Sequence, residues 1–271
     1  MTANSTSGPR RIVCLTEETT ETLYLLGEQD RIVGISGFTC RPPEARLKPK
    51  VSAFTSAKID KILELQPDLV LGFSNLQAQI AHDLIRAGVT VLVFNQRSVD
   101  EILEMILTLA RLVCAEAAGI ELVDRLRDGL ARIAESARAF ARRPRVFFEE
   151  WMDPLISGIR WVEELIEIAG GQSVFPELRY QQSAKDRIVD SAAVIAANPE
   201  AILASWCGRK LNPEQIRARE GWDSIDAVRC GHVYEVKSTY ILQPGPAALT
   251  DGVRQIHAIL ARVVAVQERS A

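Results

Sequence analysis

From Ser98 to Arg143 the apolar residues recur every three or four positions, and this run predicts the longest helical segment of the chain. Ile102, Met105, Ile106, Leu109, Leu112 and Val113 form one stripe. Ile120, Leu122, Val123, Leu126, Leu130 and Ile133 form a second. Asp100 and Glu101 open the run, Arg138, Arg142 and Arg143 crowd its end as the helix dipole favours, and Pro144 closes it. Cys114–Glu116 or Gly119 is the expected break between two helices. The second then runs from about Glu116 to Ala141, roughly 40 Å at ~1.5 Å per residue, with Gly129 as its one weak point.

Strand-like and helix-like segments alternate on both sides of this run. Before it, strands are expected at Arg11–Leu15, Asp30–Ile35, Pro67–Phe73 and Val89–Phe94, with helices at Glu21–Leu26, Ile59–Leu65 and Gln77–Ala87. After it, the strands are Arg145–Phe148, Ala201–Ser205 and Gly231–Val236. The helices are Trp161–Ala169, Ala192–Ala197, Pro213–Arg219 and Leu249–Val266. Glu149–Pro154, Trp206–Lys210 and Lys237–Pro246 read as strand-exit loops. Alternation of this kind implies parallel sheets with right-handed crossovers. The chain also echoes itself: Ile59–Phe73 lines up with Ser191–Ser205, each a helix, a joint containing Pro and a strand. The expected fold is α/β, with two lobes joined by a long rigid helix and a ligand cleft between them. The lobes cover residues 11–97 and 144–271, and 98–143 is the helical linker. One α/β domain with a long surface helix is the simpler alternative.

Composition narrows the function. A 271-residue chain with 47% hydrophobic and 25% charged residues is ordinary for a globular protein. A formal charge of −3 and a pI near 5.8 give no general attraction to nucleic acid or anionic membrane. No apolar run approaches the roughly 20 residues of a membrane span. The first ten residues are polar and lack a signal peptide's hydrophobic region. The expectation is therefore a cytoplasmic protein, or a periplasmic one if a signal peptide was removed. The five cysteines (14, 40, 114, 207 and 230) are scattered and odd in number, which suits neither a disulfide framework nor a CxxC metal or redox site.

In parallel α/β sheets ligands gather at the loops leaving the strands' C-terminal ends. Those loops carry aromatics: Phe38 and Phe54 before the helical run, Trp151, Trp206 and Tyr240 after it. Flat apolar side chains on both walls suit a large, partly flat ligand held by area and stacking. Phe73, at a strand end, is expected to be core. Cys207, between Trp206 and Gly208, is the cysteine best placed to touch a ligand, and Cys40 is next, although a cysteine is more often a small buried hydrophobe. Arg41, Arg179 and Arg209 are candidates for an anionic ligand group. Glu149–Glu150 reads either as an acid/base pair or as two solvated carboxylates. His82, His232 and His257 share no metal spacing, and no GxSxG, Walker or GxGxxG motif occurs. No catalytic residue and no metal site are expected.

Several segments resemble the helical-backbone (class III) periplasmic binding proteins, the substrate-binding proteins that feed vitamin B12 and iron-siderophore ABC importers. In the first half these are Arg11-Ile-Val-Cys-Leu15, Arg31-Ile-Val-Gly-Ile35, Pro42-Pro43-Glu44-Ala45 and Ile62-Leu-Glu-Leu-Gln-Pro-Asp-Leu-Val70. In the second half they are Ser157-Gly158, Ala169-Gly-Gly171, Asn198-Pro199-Glu-Ala-Ile202 and Gly231-His-Val-Tyr234. The resemblance covers nearly the whole chain after Arg10. It implies the two-lobed fold and a non-catalytic role, and Val51-Ser-Ala-Phe54 is similar to the cobalamin branch, where an aromatic at the Phe54 position packs on the corrin. Tyr240 is similar in placement. Relatives that dock on a permease carry one carboxylate per lobe. Asp60 keeps the first, whereas Ala192 stands at the second with Asp190 two residues earlier as a stand-in, which weakens the expected docking. The implied ligand is a cobalamin-like corrinoid, bound by a soluble carrier, sensor or transport-related protein. An iron-siderophore or haem-binding importer component is the second reading, and an enzyme using Cys207 the third.

Overall fold

The structure is a computed structural model that describes residues 8–268. It divides into two compact units, Met1–Gln96 with Asp100–Arg125, and Arg97–Val99 with Leu126–Ala271. In the first, Ile12–Cys14 (β1) is fully buried and leads into Glu17–Leu25 (α1). Ile32–Ser36 (β2) follows, then a hairpin of Lys50–Ala53 (β3) and Ser56–Ala57 (β4). Ile59–Glu64 (α2), Leu69–Phe73 (β5), Ala78–Arg86 (α3) and Val91–Phe94 (β6) complete the alternation. The sheet has the order β4-β3-β2-β1-β5-β6 and is parallel apart from β4. Its core gathers Val13, Leu15, Val51, Ile62, Val70, Ile80 and Leu84. Gly34 on β2 admits Leu65, because a Cβ there would stand 2.9 Å from the leucine's Cδ1.

Val99–Leu112 (α4) and Glu116–Ala137 (α5) form the helical run. The break falls at Cys114, whose φ of 58° turns the chain. Gly119 lets the start of α5 close on α4, since a Cβ there would lie 2.4 Å from that of Ala110. The Arg31 guanidinium donates to the carbonyl of Val113 at 3.1 Å, satisfying an end-group of α4. The 22-residue α5 is roughly 33 Å long at ~1.5 Å per residue, shorter than the sequence suggested. Three residues past its end Phe140 stacks on His257, with ring centroids 5.2 Å apart and planes 10° from parallel.

In the second unit Arg145–Met152 (β7) pairs with Leu155–Ser157 (β8) as an antiparallel hairpin. Arg160–Ile168 (α6), Gln172–Ser173 (β9), Ser191–Ala197 (α7), Ala201–Ala204 (β10), Pro213–Arg217 (α8), Asp226–Arg229 (α9) and Val233–Glu235 (β11) follow. Ser238–Ile241 (α10) and Val253–Glu268 (α11), joined through a π-turn at Ala248–Gly252, end the described chain. The sheet order is β11-β10-β7-β8, with β9 beside β7. Glu149–Pro154 is therefore strand and turn rather than exit loop. Its two glutamates hid this, because their charges are neutralised by arginines 37 and 70 residues away.

The internal echo extends to individual hydrogen bonds. Gln66 and Asn198, each before a proline, are left-handed, with φ of 46° and 42°. Arg11 donates through Nε to the carbonyl of Gln66 at 3.0 Å and Arg145 through Nε to that of Asn198 at 3.2 Å, while the Arg11 Nη2 turns to the preceding carbonyl, Leu65, at 2.6 Å. Asp68 accepts the Arg11 amide at 3.0 Å, and Glu200 accepts the Arg145 amide at 2.9 Å. Burial pushes the Glu200 carboxyl up, but the Arg145 amide and the Arg142 guanidinium outweigh it and hold the group below its ordinary 4.5. Glu200→Ala is expected to cost about 2 kcal/mol in urea unfolding, and Asp68→Ala, at an exposed carboxylate, less. A group held below its unfolded value stabilises above that value and stops doing so as pH falls through its folded one. The Glu200→Ala deficit should therefore shrink below about pH 4.5. A deficit that persists unchanged in acid would remove the charge from the account.

Candidate functional site

In the first unit the loops after β2 and β3 and the turn after β5 carry Phe38, Phe54 and Leu76. Phe38 is 50% exposed, and its amide donates to the Ser36 hydroxyl at 3.2 Å. Phe54 is half-buried, with its ring 6.5 Å from that of Phe73, which is core as expected. Gln77 holds the two together. Its amide nitrogen donates to the Phe54 carbonyl at 2.8 Å, and its oxygen accepts the Phe73 amide at 2.8 Å. Leu76, 57% exposed, stands on the Ser74 turn and was not anticipated from sequence; the Ser74-Asn75 pair directly after a strand was the available signal. Cys40 is half-buried. A separate depression of about 450 Å³ on α3 and β6, lined by Ser74, Asn75, Ala78, His82, Ile85 and Val93 among others, includes none of the anticipated residues.

In the second unit the C-terminal ends of β7, β10 and β11 lie side by side. Trp151, half-buried, donates its indole N–H to the Asp153 carbonyl at 3.1 Å, and the Arg209 guanidinium sits 5.7 Å from its ring centroid. Tyr240 on α10 is half-buried, with the Lys237 ammonium 5.3 Å from its ring centroid. Cys207 is exposed. Trp206 differs from expectation: it is 3% exposed and belongs to the core with Phe147, Ile202 and Trp222. Its indole N–H reaches Glu149 at 3.0 Å, so the ring turns inward under its own loop. Glu149 is wholly buried and held by Arg219 at 2.6 and 2.8 Å, while Arg187 holds Glu150 at 2.7 and 3.0 Å. Glu149 is buried and Glu150 half-buried, and both are ion-paired rather than free. Tyr180, 69% exposed with Arg160 5.8 Å from its centroid, was also missed, since its segment is polar and lacks periodicity.

Two of the three candidate anion-binding arginines are already engaged. Arg41 meets Glu21 at 3.0 Å, and Arg179 is ion-paired with Glu167. Asp60 is exposed in the first turn of α2. Asp190 caps α7 by accepting the Ala193 amide at 2.6 Å. No cluster of three or more His, Cys, Asp or Glu with metal-binding geometry occurs among the described residues.

Two buried acids, Glu18 and Glu163, have carboxyls raised above their ordinary value. Burial pushes Glu18 up to about 8 against a donated bond from Thr16, and pushes Glu163 up to about 7 against Ser173, Arg179 and Arg187. One carboxyl oxygen of Glu163 has no partner, as suits an uncharged acid. A carboxyl raised above its unfolded value stabilises below that value, and this benefit is lost as pH rises through the folded one. The melting temperature is expected to fall between about pH 5 and pH 8, and Glu163→Gln should flatten the lower part of that fall. An unchanged profile in the variant would rule out Glu163 as a source.

Comparison with known proteins adds to this geometry. The sequence model for "Periplasmic binding protein" matches residues 12–240. An uncharacterized ABC transporter substrate-binding lipoprotein of Bacillus subtilis is 27% identical over 92% of this chain and 79% of its own. A cobalamin-binding protein of Halobacterium salinarum is 25% identical over 93% of this chain and 70% of its own. Among solved structures, a possible iron-binding, periplasmic solute-binding protein of Staphylococcus epidermidis matches with a TM-score of 0.80 at 22% identity, over 93% of this chain and 99% of the other. No helix among the described residues is long and apolar enough to cross a membrane. The expectation of a cytoplasmic protein gains no support here, since the matching family is periplasmic by name and the Bacillus relative is a lipoprotein.

Proposed function

Because the chain belongs to the periplasmic binding protein family, as a non-catalytic substrate-binding protein of the ABC-importer type, we propose that its ligand is a cobalamin-like corrinoid. The observation that carries this reading is the set of aromatic faces at the strand ends: Phe38 and Phe54 in one unit, Trp151 and Tyr240 in the other. Such rings bind a flat macrocycle by area and stacking and ask little of hydrogen-bonding geometry. The cobalamin-binding relative of Halobacterium supports the same ligand class. Trp206 takes no direct part and backs the rim from the core. Cys207, exposed beside it, is the thiol placed to approach the ligand, and Cys40 is the second.

For a ferric siderophore, Arg41 and Arg179 already answer to carboxylates, which leaves Arg209 of the three candidate arginines to meet it. Haem, a flat macrocycle too, remains the competing ligand. In the same reading exposed Asp60 meets an arginine of a permease, whereas Asp190 is tied to the start of α7.

The test is a visible absorption titration with aquo-, cyano- and adenosylcobalamin, backed by calorimetry. Saturable binding is expected, weakened about tenfold by Phe54→Ala and by Tyr240→Ala, the scale of one lost stacking contact. Saturable binding of haemin with none of any cobalamin would overturn the reading.

A further inference from the structure

Arg209, Lys210 and Lys237 of the second unit have no carboxylate partner among the described residues, a condition that Lys185 and Arg262 share. Other arginines of that unit are neutralised, Arg160 by Glu164, Arg179 by Glu167, Arg187 by Glu150 and Arg219 by Glu149. Arg209, Lys210 and Lys237 are set apart by following adjacent strands of one sheet. Arg209 and Lys210 follow β10, and Lys237 follows β11, the neighbouring parallel strand, about 4.8 Å away. Arg209 reaches across to the Trp151 ring on β7, on the other side of β10, and Lys237 lies over Tyr240. The carboxylate nearest in the chain, Glu235, accepts the Leu211 amide at 3.5 Å, and Asp153 stands exposed at the hairpin turn.

A neutral ligand gains little from such a group. It stacks on the rings and leaves three charges to be partly desolvated for nothing. A ligand with an anion at its edge gains both the stacking and the charge. We propose that Arg209, Lys210 and Lys237 bind an anionic group on the periphery of the macrocycle, so that the corrinoid taken is cobalamin, which carries a phosphodiester, rather than cobinamide, which has lost it. This rests on the corrinoid reading of the same site. Arg209 and Lys237 lie over rings that the macrocycle would use, and Lys210 is next to Arg209 in the chain, so they select by charge at the edge while the rings bind by area.

The experiment measures the affinities of cyanocobalamin, dicyanocobinamide and haemin for the full chain, and the ratio of the first two. Cobalamin is expected to bind about tenfold or more tightly than cobinamide, the scale of roughly 1.4 kcal/mol. The ratio should fall toward one in the Arg209→Gln/Lys210→Gln/Lys237→Gln variant. In the unaltered protein it should also fall as salt shortens the Debye length from about 10 to 3 Å, a measurement that needs no substitution. Equal affinities, or a preference that survives both the variant and the salt, would overturn the proposal and leave the corrinoid reading standing. Binding of neither corrinoid overturns both. Tight, salt-sensitive haemin binding alone would assign the same cations to carboxylates and discard the phosphodiester.

Discussion

Both sheets depend on one junction, built twice. A helix must end, reverse and deliver a strand beside the one that entered before it, and a left-handed residue followed by proline makes that reversal in two positions. The reversal leaves helix carbonyls without partners, and the Arg11 and Arg145 guanidiniums supply them. Asp68 and Glu200, next after each proline, bind the amide of the residue that starts the entering strand. Register between β1 and β5, and between β7 and β10, is thereby set at the N-terminal edge of each sheet. With register fixed at that edge, the loops at the opposite edge are released from any part in holding the strands together.

That division explains how different the two rims are. The first presents hydrocarbon: Phe38, Phe54 and Leu76, with Gln77 bracing them from beneath. The second presents rings with positive groups against them, over a layer in which carboxylates and arginines cancel one another. Glu149 shows how closely packed that layer is. It answers Arg219 and the Trp206 indole at once, and Arg219 also lies 4.5 Å from the centroid of Trp222. A charge so deep is tolerated only because each neighbour is a donor or a ring face.

The sequence carried the strands and the helical run well, because their apolar spacing depends on local periodicity alone. It also carried the echo between Ile59–Phe73 and Ser191–Ser205 and, separately, a resemblance of many segments to the family whose model matches. It failed where a side chain's fate is decided far along the chain. The β7–β8 hairpin was invisible because two adjacent glutamates look like loop until Arg187 and Arg219 arrive. Trp206 looked like rim because its acceptor lies 57 residues earlier. Tyr180 has no local pattern, and only the fold leaves its ring exposed. Phe38 and Phe54 follow the ends of β2 and β3, where strand polarity puts exit segments, whereas Trp151 lies on β7 and Tyr240 on α10.

Strand direction also gives the first unit a front and a back. The chain enters β1 at the sheet's N-terminal edge, where Pro9 is held by Arg31 and the Arg10 amide by Asp68. Phe38 and Phe54 leave from the other edge. Residues 8–10 therefore lie at the edge of this sheet opposite the one from which its aromatic loops leave.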